Sequence, residues 1–69
     1  MDIVIKELLN RKSEIDKATE LLFKVNMKIT DWDIPEADDK QAAEVLIEMI
    51  KDKLNSIKAD VDAGKYDNY

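Results

Sequence analysis

The feature that most constrains this chain is a pair of apolar series on either side of a single break, each advancing by alternating four- and three-residue steps. Before the break the series is Val4, Leu8, Ile15, Ala18, Leu22, Val25, Ile29, with Arg11 its only polar member; after it the series is Ala43, Ile47, Ile50, Leu54, Ile57, Val61. Such spacing puts the residues on one stripe of an α-helix and is the heptad signature of helices that pack along a seam. The break, Thr30 to Asp39, holds the sole proline, Pro35. The expected fold is therefore all-α: one domain over 1–69, with a helix over about 3–29, an acidic loop over about 30–37, a second helix over about 38–62 and a frayed tail over 63–69. Two helices of nearly equal length, each about 40 Å long, joined by a short loop, predict an antiparallel helical hairpin (helix-loop-helix). Ser13 offers a cap for a new helix after Asn10, but the seam passes through that stretch in frame, so the first helix is read as continuous.

The second helix has two start signals. Asp33 with Glu36 reads as one capping box and Asp38 with Gln41 as another, while Pro35 suits a first helical turn. Gly64 follows Ala63 and suits the left-handed conformation that stops a helix. Glu7 to Arg11 and Glu20 to Lys24 have the favourable i,i+4 order, contributing about 0.3 kcal/mol each.

A hairpin of this size is short of core. At 69 residues and 8.0 kDa, with no Cys and therefore no disulfide, a lone core supplies only about 3–5 kcal/mol, so self-association or a partner is expected. Ile5, Leu21 and Leu46 flank the seam and widen each apolar face toward that of a bundle helix. The simplest assembly that uses this width is a homodimeric four-helix bundle, with Leu8, Ile15, Leu22, Ile29, Ile47, Ile50, Leu54 and Ile57 as its seam. Arg11 within that seam either pairs across an interface or reaches out to water.

Composition narrows the chemistry. With no His and no Cys there is no imidazole base, no thiolate nucleophile and no ordinary zinc site, so an enzyme, a cofactor and a metal are not expected. The acidic run Asp31, Asp33, Glu36, Asp38, Asp39 fails the calcium-loop pattern, because Pro35 and Glu36 occupy the positions that need a ligand and a Gly. Its simpler reading is acids gathered at a helix N-terminus, where free N–H groups favour negative charge. The apolar run Ile3, Val4, Ile5 is far too short to span a membrane, and Met1 opens the chain without a targeting segment; a small intact cytoplasmic protein is expected.

Net charge is −5, and the excess is local: residues 30–69 carry eleven acids against five lysines, residues 2–29 five acids against six bases. This favours a protein partner, basic or itself nucleic-acid-binding, over direct contact with nucleic acid. Glu44, Glu48 and Asp52 form a like-charged row at four-residue spacing, suited to the basic groove of such a partner. Phe23 and Met27 on the first helix, and Val45 and Met49 on the second, lie off the seam; with Trp32 at the loop they form a second apolar set at one end, the candidate partner-binding anchor. Tyr66 and Tyr69 could serve as a docking tail.

The function these observations favour is a small non-enzymatic protein-interaction module, a regulator or inhibitor that occupies a partner's surface. In size and acidity it resembles short accessory proteins of phages and mobile elements, some of which mimic nucleic acid. Lys17, Lys24 and Lys28 lie along one side of the first helix, and in architecture the chain resembles the plasmid RNA-binding Rop proteins, which implies an alternative as an RNA-binding dimeric bundle. That likeness rests on no shared motif and transfers no residue. A structural scaffold or assembly chaperone is a further alternative.

Overall fold

The computed structural model describes residues 2–34, 36 and 38–68. The protein is all-α, with α1 Ile3–Asn10, α2 Lys12–Asp33 and α3 Asp39–Asp62, and no strand among the described residues. Expectations placed on Met1, Pro35, Ala37 and Tyr69 lie outside these residues.

Asp2 caps α1 by accepting from the Val4 N–H at 2.7 Å. The expected continuous first helix is instead two, because the chain bends at Arg11 (φ −95°, ψ 2°). There the Arg11 N–H is shared between the Glu7 and Leu8 carbonyls at 3.2 and 3.1 Å, while the Ile15 N–H already bonds to the Arg11 carbonyl at 3.0 Å. Asn10 and Ser13 are weak helix formers, and a polar side chain at the seam position gives the turn no apolar contact to hold it straight. The Arg11 guanidinium, expected beside Glu7, reaches forward to Glu14 at 3.4 Å. Ser13 makes no capping bond, and α2 begins without any side-chain cap.

α2 also runs on to Asp33, so Trp32 stands in its last turn and not in a loop. Of the two start signals for α3 the chain uses the second: Asp38 accepts from the N–H groups of Lys40 (3.0 Å) and Gln41 (3.2 Å). At the other end the Gly64 N–H bonds to the Val61 carbonyl and the Lys65 N–H to the Asp60 carbonyl, both at 3.0 Å, with Gly64 at φ 85°. This pairing satisfies the last carbonyls of α3 and requires positive φ. Beyond it the tail expected to fray keeps a turn, closed by Asp67 N–H on the Gly64 carbonyl at 3.2 Å.

α2 packs on α3, whereas α1 meets α2 and has no contact with α3 among the described residues. The half-buried residues of α2 are Phe23, Asn26, Met27 and Thr30, and those of α3 include Ala42, Ala43, Leu46 and Ile50. This corrects the expected register on α2. Phe23 and Met27, expected on the outer side, face α3, while Ile15, Leu22, Val25 and Ile29 of the predicted seam lie exposed. Thr19, Phe23, Asn26 and Thr30 form a second heptad row, displaced by one residue, hence by about 100° around the helix, from Ala18, Leu22, Val25 and Ile29.

A polar row can face another helix here because its members are satisfied within α2. Thr19 donates to the Ile15 carbonyl (2.8 Å), Asn26 to the Leu22 carbonyl (2.8 Å) and Thr30 to the Asn26 carbonyl (2.9 Å). On α3 the half-buried Ala42 and Ala43 present little bulk.

Candidate interaction surface

The helix pair leaves its apolar side chains largely in solvent. No described residue is fully buried, and Leu22 (49%), Ile29 (52%), Met49 (63%) and Trp32 (86%) all keep large exposed fractions. The accessible surface is 6386 Å², and the radius of gyration is 15.9 Å. A compact chain of this mass would expose about 4,500 Å² and, at this length, have a radius of gyration of about 11 Å. The excess, about 1,900 Å², is the size of one partner's share in an obligate interface.

Two grooves flank the α2–α3 contact. On one side Thr19, Glu20 and Phe23 line a groove with Ile47, Ile50 and Lys51; on the other Leu22 and Asn26 line one with Leu46, Met49, Lys53 and Ile57. Leu22 of the predicted seam and Met49 of the predicted partner anchor therefore share one face. Val45 belongs to the exposed set as well, with 54% of its surface open. Further along α2, Val25, Lys28, Ile29 and Trp32 bound a cleft of about 250 Å³. On α1, Ile3, Val4, Glu7 and Leu8 line another groove, which leaves Leu8 away from α3. Leu54 is exposed, and Ile50 is half-buried against α2.

The acidic row remains exposed. Glu48 reaches Lys51 at 3.6 Å, while Glu44 and Asp52 have no ion pair among the described residues. Of the candidate RNA-facing lysines, Lys24 is held by Glu20 at 2.8 Å; Lys17 shares a shallow groove with Glu20, Leu21 and Lys24, and Lys28 borders the Trp32 cleft. Such exposed i,i+3 and i,i+4 pairs contribute a few tenths of a kcal/mol each. Where α2 ends and α3 begins, the Asp31 carboxyl is raised above its ordinary value of 3.8, first by a hydrogen bond with the Asp39 carboxyl, then by slight desolvation and by the Asp39 charge. A negative charge on the neighbouring carboxyl disfavours the ionised form of Asp31. No three acids are gathered in a way that could hold a metal ion among the described residues, and no described helix is long and apolar enough to cross a membrane.

No family model, curated protein or solved structure matches this chain. Its surface must therefore be interpreted from its own chemistry. Sequence reasoning missed the second heptad row. Thr19, Phe23, Asn26 and Thr30 have the same four–three spacing as the apolar seam, but three of the four are polar, so hydrophobicity does not mark the row.

Proposed function

We propose that this protein is a small non-enzymatic, cytoplasmic interaction module that acts by occupying the surface of other chains. It is built as an antiparallel hairpin of α2 and α3 that pairs with a second copy into a four-helix bundle. The observation that carries this reading is the absence of any fully buried residue among those described, alongside large exposed apolar side chains on all three helices. A chain that covers so little of its own apolar surface gains most of its stability from what covers it. The antiparallel arrangement is supported by Asp31 lying against Asp39 beside the connection, and by Phe23 sharing a groove with Ile47 and Ile50.

In this reading Val45 and Met49 anchor a further protein, and Glu44, Glu48 and Asp52 steer it by charge, so a basic or nucleic-acid-binding partner fits best. Phe23 and Met27 support the anchor from within the helix pair and do not touch the partner. Light scattering over a dilution series tests the assembly: a mass near two chains into the low micromolar range is expected, and a well-folded monomer throughout would refute it. For the partner site, Met49→Asp with Val45→Asp is expected to abolish partner capture while helicity is kept.

The Rop-like RNA-binding alternative draws on Lys17 and Lys28, which have no ion pair among the described residues. It predicts an affinity that falls steeply with salt and is abolished by Lys17→Glu with Lys28→Glu. Absence of any shift of RNA at low salt would dispose of it.

A further inference from the structure

α1 and α2 are two helices in one frame. The row Val4, Leu8, Arg11, Ile15, Ala18, Leu22 keeps its four- and three-residue steps across the joint, so Arg11 stands where an unbroken helix would place it. No Pro or Gly lies between Asn10 and Ser13, so no missing donor and no ring obliges the chain to bend there. Arg11 (φ −95°, ψ 2°) is about 30° in φ and about 45° in ψ from helical values, with no forbidden geometry between. We infer that Arg11 is a hinge, about which the chain exchanges between the bent form and a straight form in which α1 and α2 are a single helix.

The main chain at the joint is already intermediate between the two. The Arg11 N–H is forked, 3.2 Å from the Glu7 carbonyl and 3.1 Å from the Leu8 carbonyl. The first is an α-helical bond and the second a 3₁₀ bond, and a 3₁₀ step within a helix is a common place for a hinge. Straightening keeps the bond to Glu7 and gives up the one to Leu8. Tertiary packing does not fix the angle, because α1 meets α2 and has no contact with α3 among the described residues.

Charge sets the balance, since the acids on either side of Arg11 favour opposite forms. In the bent form Arg11 Nε lies 3.4 Å from Glu14 in an exposed pair, and Glu14 occupies the first turn of α2, where free N–H groups favour an acid. Glu7 stands in the last turn of α1, where free carbonyls disfavour an acid, and it makes no ion pair among the described residues. Straightening abolishes both helix ends and leaves Glu7 four residues before Arg11, the favourable order for a pair. Glu14 therefore holds the bend and Glu7 opposes it. These interactions are exposed and weak, so neither form is locked. The hinge sets the length of the apolar row. In the straight form Val4 and Leu8 stand in line with Ile15 and Leu22; in the bent form α1 turns them off that line, into a groove with Ile3 and Glu7.

The test is NMR on the full chain, with the Cα secondary shifts of Asn10, Lys12 and Ser13 reporting how far the joint is helical. Glu14→Gln is expected to move these shifts toward helical values and Glu7→Gln to move them away. Each should change the ratio of straight to bent by about two-fold, the size of an exposed ion pair, with the shifts of Ile47 to Leu54 in α3 unchanged. Arg11→Leu completes the apolar row and removes the pair with Glu14, and should carry the joint further toward helix than Glu14→Gln does. If the two charge variants move the joint in the same direction or not at all, or Arg11→Leu leaves it as in the parent, Arg11 is a fixed corner and the inference is overturned. It is overturned equally if the α3 shifts change together with those of the joint, because the substitutions then act on the whole helix pair.

Discussion

Leu22 and Phe23 are adjacent in sequence, but α2 turns them about 100° apart, into the grooves on opposite sides of the α2–α3 contact, with Phe23 the more buried. Truncating each to alanine should therefore fail in different ways. Leu22 keeps 49% of its surface exposed in the single chain. Complete burial of a leucine side chain is worth about 1.5–3 kcal/mol, so covering the exposed half contributes about 0.7–1.5 kcal/mol per copy. A two-fold dimer loses this twice, about 1.5–3 kcal/mol, which weakens association by about ten- to hundred-fold. Phe23 is half-buried against α3. A fully buried Phe→Ala change costs about 3–5 kcal/mol, so about half of that is expected as loss of helix-pair stability within each chain. The assay is thermal unfolding followed by circular dichroism over a hundred-fold range of concentration, with sedimentation equilibrium on the same samples. Leu22→Ala should shift the dissociation constant and steepen the loss of Tm on dilution, because unfolding is linked to dissociation. Phe23→Ala should lower Tm at every concentration. Equal effects of the two variants on the dissociation constant would refute the partition of α2 into an inner and an outer row.

The raised pKa of Asp31, held up by its hydrogen bond with Asp39, sets a pH dependence. A carboxyl whose folded pKa is raised contributes stability that is complete below its ordinary value and is lost as pH rises through the folded value. Asp31→Asn removes that titration, and Tm measured from neutral to acid pH should gain less on acidification than in the parent, with the variant the more stable at pH 7. Gly64 sits at φ 85°, and an added Cβ would lie 3.0 Å from an Asp67 carboxylate oxygen; Gly64→Ala should cost about 1 kcal/mol in denaturant unfolding. Asp38→Ala removes the bonds to the Lys40 and Gln41 N–H groups and should also cost about 1 kcal/mol, whereas Asp33→Ala, which removes no cap, should cost much less.

What the sequence made legible was whatever depends on periodicity or a single special residue. The all-α class, the span of α3 and the stop at Gly64 follow from heptad spacing and from the one glycine. The competing starts of α3 were not separable from sequence, because Asp33 and Asp38 have equivalent capping chemistry; the difference arises because α2 continues through Trp32 and Asp33. The orientation of α2 was misread for a related reason. Hydrophobicity marks a face that some apolar surface must cover but does not say which surface. It gave most weight to Leu22 and Ile29, while Asn26 and Thr30, already bonded to their own helix, were free to be half-buried without an apolar side chain. The break at Arg11 was visible as a polar residue in the seam, yet a frame that continues unbroken on either side masks a local bend.

The polar character of the inner row bears on how the protein works. Were Leu22 and Ile29 packed on α3, the helix pair would spend its strongest apolar stripe internally and leave a charged, hydrated exterior. Instead α2 meets α3 through Asn26 and Thr30 beside Phe23 and Met27, a contact that fixes geometry more than it contributes free energy, since the two polar side chains bond within α2. The apolar driving force is thereby kept for association. In the proposed assembly, folding of the pair and capture of a second chain become one coupled step, marginal alone and stable when covered. In the proposed interaction module that coupling gives a steep response to its own concentration: below the dissociation constant it has little ordered surface to offer, and above it the acids Glu44, Glu48 and Asp52 of α3 are presented on an ordered helix pair.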